Sequence, residues 1–320
     1  MTGIEQRSRA PLAVAVLVPC HNEAATIEQV VREFRVHLPG AAIYVYDNNS
    51  TDDTAQIART AGAIVRYEQL QGKGNVVRRM FADVEADIFL LVDGDGTYDI
   101  SSAPRLIEKL TTDRLDMVNC ARIPVTNSAY RPGHAWGNRL LTGLVAWIFG
   151  KRVGDILSGY RAMSRRFVKS FPALSSGFET ETELTVHALE MRVPIGEITA
   201  PYRDRPQGSS SKLHTVRDGI RILRLIVHLI KEERPLQFFS TIFLVLSVAS
   251  VGIAWPVLRT YFETGLVPRL PTAILATGLA ILACLSLMCG LVLDTVTRGR
   301  RELKRLFYLS AGPDRQRPPE

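Results

Sequence analysis

Ile88–Phe89–Leu90–Leu91–Val92–Asp93–Gly94–Asp95–Gly96 decides how this chain folds. An unbroken apolar run, with no polar alternation, reads as a strand buried on both faces, as in a parallel sheet covered by helices. The run stops on two carboxylates separated by one glycine. Such a pair at the end of a strand suits a divalent cation held against a diphosphate, whose departure the cation eases. Upstream, Ala13–Val14–Ala15–Val16–Leu17–Val18–Pro19–Cys20–His21–Asn22–Glu23 repeats the plan: a buried strand, then a polar turn.

Outward from these two segments, strands and helices alternate. Val14–Val18, Ile43–Tyr46, Ile64–Tyr67, Ile88–Val92 and Met117–Cys120 read as short strands. Thr26–Leu38, Asp52–Ala61, Gly74–Glu85 and Ala103–Leu110 read as helices between them. The expected class is α/β: a mainly parallel, Rossmann-like sheet with helices on both faces. Ligands of such sheets bind at the carboxyl ends of the strands. The polar signals fall there, at His21–Asn22–Glu23, Asp47–Asn48–Asn49–Ser50 and Asp93–Gly94–Asp95.

The second half of the chain has another character. Of the 320 residues, 46% are hydrophobic, and the excess lies near the end. Pro235–Leu258 and Leu270–Leu293 carry no charge. Each exceeds the roughly 20 residues a helix needs to cross a bilayer. The short link Arg259–Arg269 makes them a hairpin. Arg217, Arg221, Arg224, Lys231 and Arg234 precede the first span, and Arg298, Arg300, Arg301, Lys304 and Arg305 follow the second. That asymmetry puts both termini and the large N-terminal domain in the cytoplasm of a cell with this multi-pass protein in its inner membrane. Ala276, Gly278 and Ala280 are small enough for close helix contact in a homo-oligomer.

Val216, Ile220, Leu223, Val227 and Ile230 form an apolar stripe beside a basic one, Arg217, Arg221, Arg224, His228 and Lys231. This suits a juxtamembrane helix lying among lipid headgroups. Leu140–Phe149 is apolar but too short to span; it reads either as a buried helix or as one against the membrane surface. The expected division is a flexible N-terminus (1–11), a catalytic domain (12–212), the amphipathic helix (213–234), the two spans (235–258 and 270–293) around an extracytoplasmic link (259–269), and a basic tail (294–320).

Several classes fall away. Leu12–Val18 is short and lacks a cleavage site, so it reads as a first strand rather than a signal peptide. The cysteines Cys20, Cys120, Cys284 and Cys289 have no metal-ligand spacing, and the last two lie in a span, which speaks against a zinc site or a disulfide framework. The net charge of +7 gathers beside the spans and in Arg205–Lys212. Anionic lipid and phosphate account for that placement, whereas a nucleic-acid partner would call for a basic platform with aromatics.

Asp95 is the first choice for direct metal contact; Asp93 either shares the metal or holds ribose hydroxyls. Gln71–Gly72–Lys73–Gly74–Asn75 offers backbone N–H groups and a cation to an anion, or is only the turn that starts a helix. Asp47 and Asn49 can hydrogen-bond a base or ribose, and Asp47 suits a uracil N3–H. Ser50–Thr51–Asp52 also reads as a helix cap.

These residues resemble a known family. The chain resembles a family 2 glycosyltransferase of the GT-A fold, and more closely the polyprenyl-phosphate glycosyltransferases, which include dolichyl-phosphate mannosyltransferases and bacterial enzymes with a two-helix C-terminal anchor. The resemblance spans about residues 12 to 230. It rests on Val18–Glu23, Asp47–Asp52, Gly72–Lys73–Gly74, Asp93–Gly94–Asp95, Asp155–Ile156–Leu157–Ser158–Gly159–Tyr160–Arg161 and Arg205–Pro206–Gln207–Gly208–Ser209–Ser210–Ser211–Lys212. It implies that Pro19, Glu23 and Asp47 line the nucleotide, and that Lys73 and Arg205 face the donor diphosphate. Asp93 and Asp95 would bind Mg²⁺ or Mn²⁺. Arg122, Arg139 and Thr142 would hold the acceptor phosphate, and Asp155 would lie near the reacting centre. Ser211 and Lys212 would belong to a loop that closes over the site. The chain departs from the family at Cys20–His21 and at Thr97, where many members carry a metal-binding glutamine. The Gln-x-x-Arg-Trp motif of processive synthases is absent from the sequence.

The chemistry implied needs no strong base. A lipid phosphate is already an anion and attacks the anomeric carbon directly, so the protein's task is to hold two anions together, with metal at one and arginines at the other. The expectation is transfer of one sugar, with inversion, from a nucleotide donor (a UDP-sugar in preference to GDP-mannose) to a polyprenyl phosphate at the cytoplasmic face. Two alternatives stand beside it. One is transfer to a lipid hydroxyl such as diacylglycerol or ceramide, which would need a base such as Asp155. The other is a non-catalytic sugar-nucleotide-binding membrane scaffold.

Overall fold

In a computed structural model, the described residues are 12–124, 142–143, 145–147, 150, 154–175, 177, 179–203 and 230–311. They fall into two compact units, 1–219 with 304–320, and 220–303.

The first unit is built on a seven-stranded sheet in the order β3-β2-β1-β4-β6-β5-β7. The strands are β1 Val14–Cys20, β2 Ala42–Asp47, β3 Ile64–Tyr67, β4 Ile88–Leu91, β5 Met117–Pro124, β6 Arg161–Ser164 and β7 Ile195–Tyr202. Between them lie α1 Ile27–His37, α2 Thr54–Thr60, α3 Lys73–Asp83, α4 Ala103–Thr112, α5 Arg165–Ser170 and α6 Thr180–Met191. The expected strands and helices are present, with ends shifted by a few residues; β6, β7, α5 and α6 were not anticipated.

Side chains of β1 and β4 alternate between two cores. Val16, Val18, Leu90 and Val92 pack with Ile27, Phe34, Leu106 and Leu110 on one face. Ala15, Leu17, Phe89 and Leu91 pack with Val77, Met80, Phe167 and Leu184 on the other. Burial on both faces is why these strands are apolar throughout.

β1, β2, β3 and β4 run parallel. β6 is antiparallel to both β4 and β5, and β7 is parallel to β5. The reversal at β6 has a consequence for function. Leu91, the last residue of β4, pairs with Arg161, the first of β6. The segment leading into β6 therefore arrives at the rim where β4 ends, and Gly154–Tyr160 joins the carboxyl ends of the parallel strands.

Two helices are long and apolar enough to cross a membrane, α7 Pro235–Thr264 and α8 Leu270–Ser310, and the second unit holds all of α7 and α8 as far as Leu303. Both outrun the uncharged segments: Arg259–Thr264 continues α7, and α8 runs through most of the expected tail. Their large apolar side chains face outward, among them Leu244, Val248, Trp255, Leu285, Met288 and Val292. The buried positions of α8 are Ala276, Ala283, Gly290 and Thr297. They recur at heptad spacing, the repeat of a left-handed helix seam. A side chain at Gly290 would meet Phe239 Cβ at 2.9 Å, so only glycine admits α7 this closely. Ser250 Oγ donates to the Ala276 carbonyl at 2.7 Å. Ala276 is thus spent inside the hairpin, while Gly278 and Ala280 are exposed. The three small residues do not form one surface for another copy.

Candidate active site

The rim is assembled from the ends of β1, β2 and β4. Thr26 Oγ1 donates to the Gly94 carbonyl at 2.7 Å, tying the Asp-Gly-Asp turn to the start of α1. Asp95 is buried, and its Oδ1 accepts from Thr97 Oγ1 at 2.6 Å and from Thr97 N at 3.2 Å. Thr97 therefore orients Asp95 through a side chain shorter than the glutamine of related motifs. Asp93 is partly exposed, and its Oδ1 accepts from Lys73 Nζ. The same ammonium donates to Glu181 Oε1. Burial opposes the charge on Lys73, but Asp93 and Glu181 outweigh it and raise its pKa. Burial raises Glu181, with Lys73 working against it.

Lys73 opens α3, and no side chain caps that helix start. Uncapped N–H groups beside a cation make an anion site. Its position is set by Asn48, which is buried just past β2. Asn48 Nδ2 donates to the carbonyls of Glu68 at 2.8 Å and Leu70 at 2.9 Å, and Oδ1 accepts from Gly72 N at 2.7 Å. Asp47 is also buried; its Oδ2 accepts from Ser50 N at 3.2 Å, while Oδ1 has no hydrogen-bond partner among the described residues. Pro19 is half-buried in β1, in register with Tyr46. Glu23 follows, its backbone N–H donating to Thr54 Oγ1 at 2.8 Å. Beneath the rim lies Cys20, its thiol pushed up by burial and further by Glu23, Asp47, Asp93 and Asp95.

The other side of the rim holds Arg122 and Asp155. Arg122 Nε donates to Asp155 Oδ2 at 2.6 Å and Nη2 to Oδ1 at 2.9 Å, a two-pronged pair. Asp155 also accepts from the backbone N–H of Arg122 at 3.3 Å and of Leu157 at 3.2 Å. The Arg122 guanidinium lies 5.3 Å from the centre of the Tyr202 ring, and that ring lies 5.3 Å from Tyr98. Tyr98 Oη accepts from Gly159 N at 2.7 Å. Gly159 presses on Asp93, and a Cβ there would collide with Asp93 Oδ2. Side chains in contact thus link the arginine pair to the Asp-Gly-Asp turn.

The Glycosyl transferase family 2 pattern matches residues 15–171. Glycosyltransferase AglJ of Haloferax volcanii is 30% identical over 301 residues, 93% of this chain and 99% of its own. The chain belongs to glycosyl transferase family 2. It is a glycosyltransferase of the GT-A fold. The dolichyl-phosphate hexose transferase of Haloferax volcanii is 27% identical over 221 residues, covering 69% of this chain and 95% of that one. Among solved structures, glucosyl-3-phosphoglycerate synthase from Mycobacterium tuberculosis, crystallised with Mn²⁺, UDP-glucose and phosphoglyceric acid, is 25% identical. It aligns with a TM-score of 0.55 over 69% of this chain and 79% of that one.

Within this family 2 enzyme, the structure brings Asp93, Lys73 and Asp95 to one stretch of the rim and Arg122 with Asp155 to another. Thr142 lies in a short helical stretch, with a buried hydroxyl that lacks a partner among the described residues. Arg139, Arg205, Ser211 and Lys212 lie outside the described residues, as does nearly all of the expected amphipathic helix. Sequence reading missed Glu181, Asn48 and Arg161. Arg161 is fully buried, and burial lowers its pKa to about 10. It donates to the carbonyls of Ser158 at 3.0 Å and Ile156 at 2.7 Å and to Thr185 Oγ1 at 2.8 Å, fastening the Asp155 loop to α6. Its position inside the quoted Ser-Gly-Tyr-Arg motif was the available signal.

Among the described residues no group of three or more His, Cys, Asp or Glu gathers as metal ligands. The Asp-Gly-Asp turn offers two carboxylates, Asp93 and Asp95. That fits a hard cation completing its shell with phosphate oxygens and water.

Proposed function

We propose that this enzyme is a membrane-anchored, Mg²⁺- or Mn²⁺-dependent inverting glycosyltransferase that moves one sugar from a nucleotide donor to a polyprenyl phosphate. The observation that carries the reading is Arg122, held by Asp155 on the rim that also bears Asp93, Asp95 and Lys73. An arginine on that rim suits a phosphate acceptor, which would share the guanidinium with Asp155. The carboxylate available beside it is engaged with the arginine rather than poised as a base. Similarity to the dolichyl-phosphate hexose transferase of Haloferax volcanii supports a lipid-phosphate acceptor. Two membrane-length helices supply a route to one.

Pro19, Glu23 and Asp47 line the nucleotide, with Asp47 Oδ1, which has no hydrogen-bond partner among the described residues, ready for a base N–H, which favours a UDP-sugar. Lys73 and the start of α3 take the diphosphate, together with Arg205. Asp93 and Asp95 would hold the Mg²⁺ or Mn²⁺, which supplies positive charge against the leaving diphosphate. Arg122, Arg139 and Thr142 position the acceptor phosphate, and Ser211 and Lys212 close over it. An oxygen of that phosphate bonds to the anomeric carbon as the bond to the donor diphosphate breaks, and the nucleoside diphosphate leaves. An α-linked donor then gives a β-linked lipid-phosphate sugar. Residues 12–212 form the catalytic domain, 213–234 the juxtamembrane helix, and the hairpin holds both termini on the cytoplasmic side.

One observation favours a second reading. Glu181 is a buried carboxyl, raised by burial, with Oε2 unpartnered among the described residues. A lipid hydroxyl acceptor would need such a base. The deciding experiment supplies detergent-purified full chain with undecaprenyl phosphate, diacylglycerol or ceramide, Mg²⁺ or Mn²⁺, and a panel of nucleotide sugars. A phosphate-linked product, absent in Asp95→Ala, supports the proposal. Product on a hydroxyl lipid alone supports the second reading, and metal-dependent donor binding without any product supports a scaffold.

A further inference from the structure

We infer that Glu197 is a positioning residue for the acceptor side: with Asn119 it fixes the backbone of Asp155, and through Asp155 it aims Arg122 at the acceptor phosphate. The inference rests on the proposed reading of Arg122 as a phosphate-holding residue. Glu197 lies in β7, the edge strand of the sheet, and is itself exposed. An exposed carboxylate ordinarily faces water. This one turns both oxygens onto the loop before β6. Oε1 accepts from Gly154 N at 3.0 Å and from Asp155 N at 3.4 Å, and Oε2 accepts from Gly154 N at 3.1 Å. The fit is close, since a Cβ on Gly154 would meet Glu197 Oε2 at 2.8 Å.

Asn119 holds the other end of the same residue. It is fully buried in β5, paired in register with Glu197. Its Nδ2 donates to the Asp155 carbonyl at 2.8 Å and to Glu197 Oε1 at 3.0 Å. Both partners only accept, so the orientation of the amide is fixed. Asp155 is thus held through its N–H and through its carbonyl, by two side chains hydrogen-bonded to each other. Gly154 and Asp155 belong to no strand, so these side chains satisfy the backbone where a ladder would. The reason to hold Asp155 lies in Arg122. A phosphate that arrives at the guanidinium draws it away from Asp155. A carboxylate on a fixed backbone keeps its grip and the direction of the arginine, whereas one on a loose backbone yields. Geometry set in advance lowers the ordering cost of binding. β6 separates β5 and β7 from β4, which leads into the Asp-Gly-Asp turn, so the acceptor side should feel the loss first.

The test measures kcat and both KM values of the full chain in detergent, with undecaprenyl phosphate, Mg²⁺ or Mn²⁺ and the nucleotide sugar that gives product. The variants are Glu197→Ala, Glu197→Gln, Gly154→Ala, Arg122→Lys and the double variant Glu197→Ala with Arg122→Lys, each checked by thermal melting. Glu197→Ala is expected to raise the acceptor KM about tenfold, with a smaller change in the donor KM. Glu197→Gln should recover most of that loss, because its amide oxygen can accept where Oε1 did. Gly154→Ala displaces the carboxylate without removing it and should raise the same KM, so it decides the matter if Glu197→Ala is unfolded. A lysine at 122 cannot take the two-pronged pair, so Glu197→Ala should add little to Arg122→Lys. An unchanged acceptor KM in Glu197→Ala or Gly154→Ala overturns the inference, and so do equal rises in both KM values. A full tenfold further rise in the Arg122→Lys background would reduce Glu197 to a support of the sheet edge. A wild type without phosphate-linked product, or an Arg122→Lys variant that keeps the wild-type acceptor KM, would sink the reading of Arg122 and the inference with it.

Discussion

The two sides of the rim hold their charges in opposite ways. On the β1–β4 side, one lysine is shared between two carboxylates, and oxygens of Asp47 and Glu181 have no partner among the described residues. On the β5–β6 side, Asp155 takes both prongs of Arg122 and two backbone N–H groups. The first side is short of hydrogen-bond donors and positive charge; the second is internally matched. A ligand rich in hydroxyls and base N–H groups, arriving with a cation, completes the first. A ligand for the second must compete with Asp155 for the guanidinium. That difference is what the proposed reading uses when it puts the nucleotide sugar on one side and the acceptor phosphate on the other.

The largest effect should come from Asp95→Ala, which removes half of the carboxylate pair. Turnover is expected to drop by about three orders of magnitude, on the order of 4 kcal/mol of transition-state stabilisation. Product formation at saturating Mg²⁺ or Mn²⁺ checks this. A variant retaining a tenth of the activity would break the comparison, because the first side would then not depend on its carboxylates. Asp155→Asn comes next. Removing one partner of a mostly buried pair leaves the Arg122 charge uncompensated, so the catalytic unit should lose about 3 kcal/mol of stability. Nucleotide affinity should fall less than lipid-phosphate affinity, since only the contacts through Tyr202, Tyr98 and Gly159 join the pair to Asp93. Equal losses of nucleotide and lipid-phosphate affinity would show that the two sides act as one.

Asn48→Ala sharpens the comparison further. Asn48 makes three hydrogen bonds that fix the loop carrying Gly72 and Lys73. Its loss strands buried backbone groups, which should cost about 2 kcal/mol and raise the donor KM while leaving the acceptor KM alone. Comparable rises in both constants would count against a separate donor loop.

Much of the first side was legible because β1 and β4 are apolar on both faces and end on their functional residues. The residues after them could point only to the rim. The second side was legible in residue types but not in pairing. Arg122 and Asp155 were both singled out, yet nothing in their separation along the chain says that they meet. β6 was hidden because Arg161–Ala162–Met163–Ser164 has no strand-like pattern, and its arginine is buried by hydrogen bonds to carbonyls rather than by an ion pair. α6 was hidden for a related reason. Thr180, Glu181, Thr182, Thr185, His187 and Glu190 are all buried, so the helix shows no apolar face to read. Glu181, within Thr-Glu-Thr-Glu, looks like a solvated turn until Lys73 is seen beside it.

The smallest effect concerns how α6 is seated, and pH reports it. His187 lies about two turns after Glu181, between the rings of Phe167 and Phe171, each 5.4 Å away. Its Nε2 meets Ser170 Oγ at 3.2 Å, and Nδ1 has no partner among the described residues. Burial first, and the charge of Lys304 second, lower its pKa from 6.5 to about 3. Lys304 is itself paired with Glu190 at 2.6 Å. Above pH 6.5 the imidazole is neutral in both folded and unfolded chains and has no effect on stability. Below it the unfolded chain takes up a proton that the folded chain refuses, so stability falls until the pH reaches about 3. The slope contributed is at most about 1.4 kcal/mol per pH unit. Denaturation of wild type and His187→Gln at pH 7, 6 and 5 isolates it, since carboxylates titrate alike in both. Wild type should lose about 1 kcal/mol more than the variant for each unit below 6.5. Identical slopes in the two proteins would mean that His187 is solvated rather than held neutral between Phe167 and Phe171.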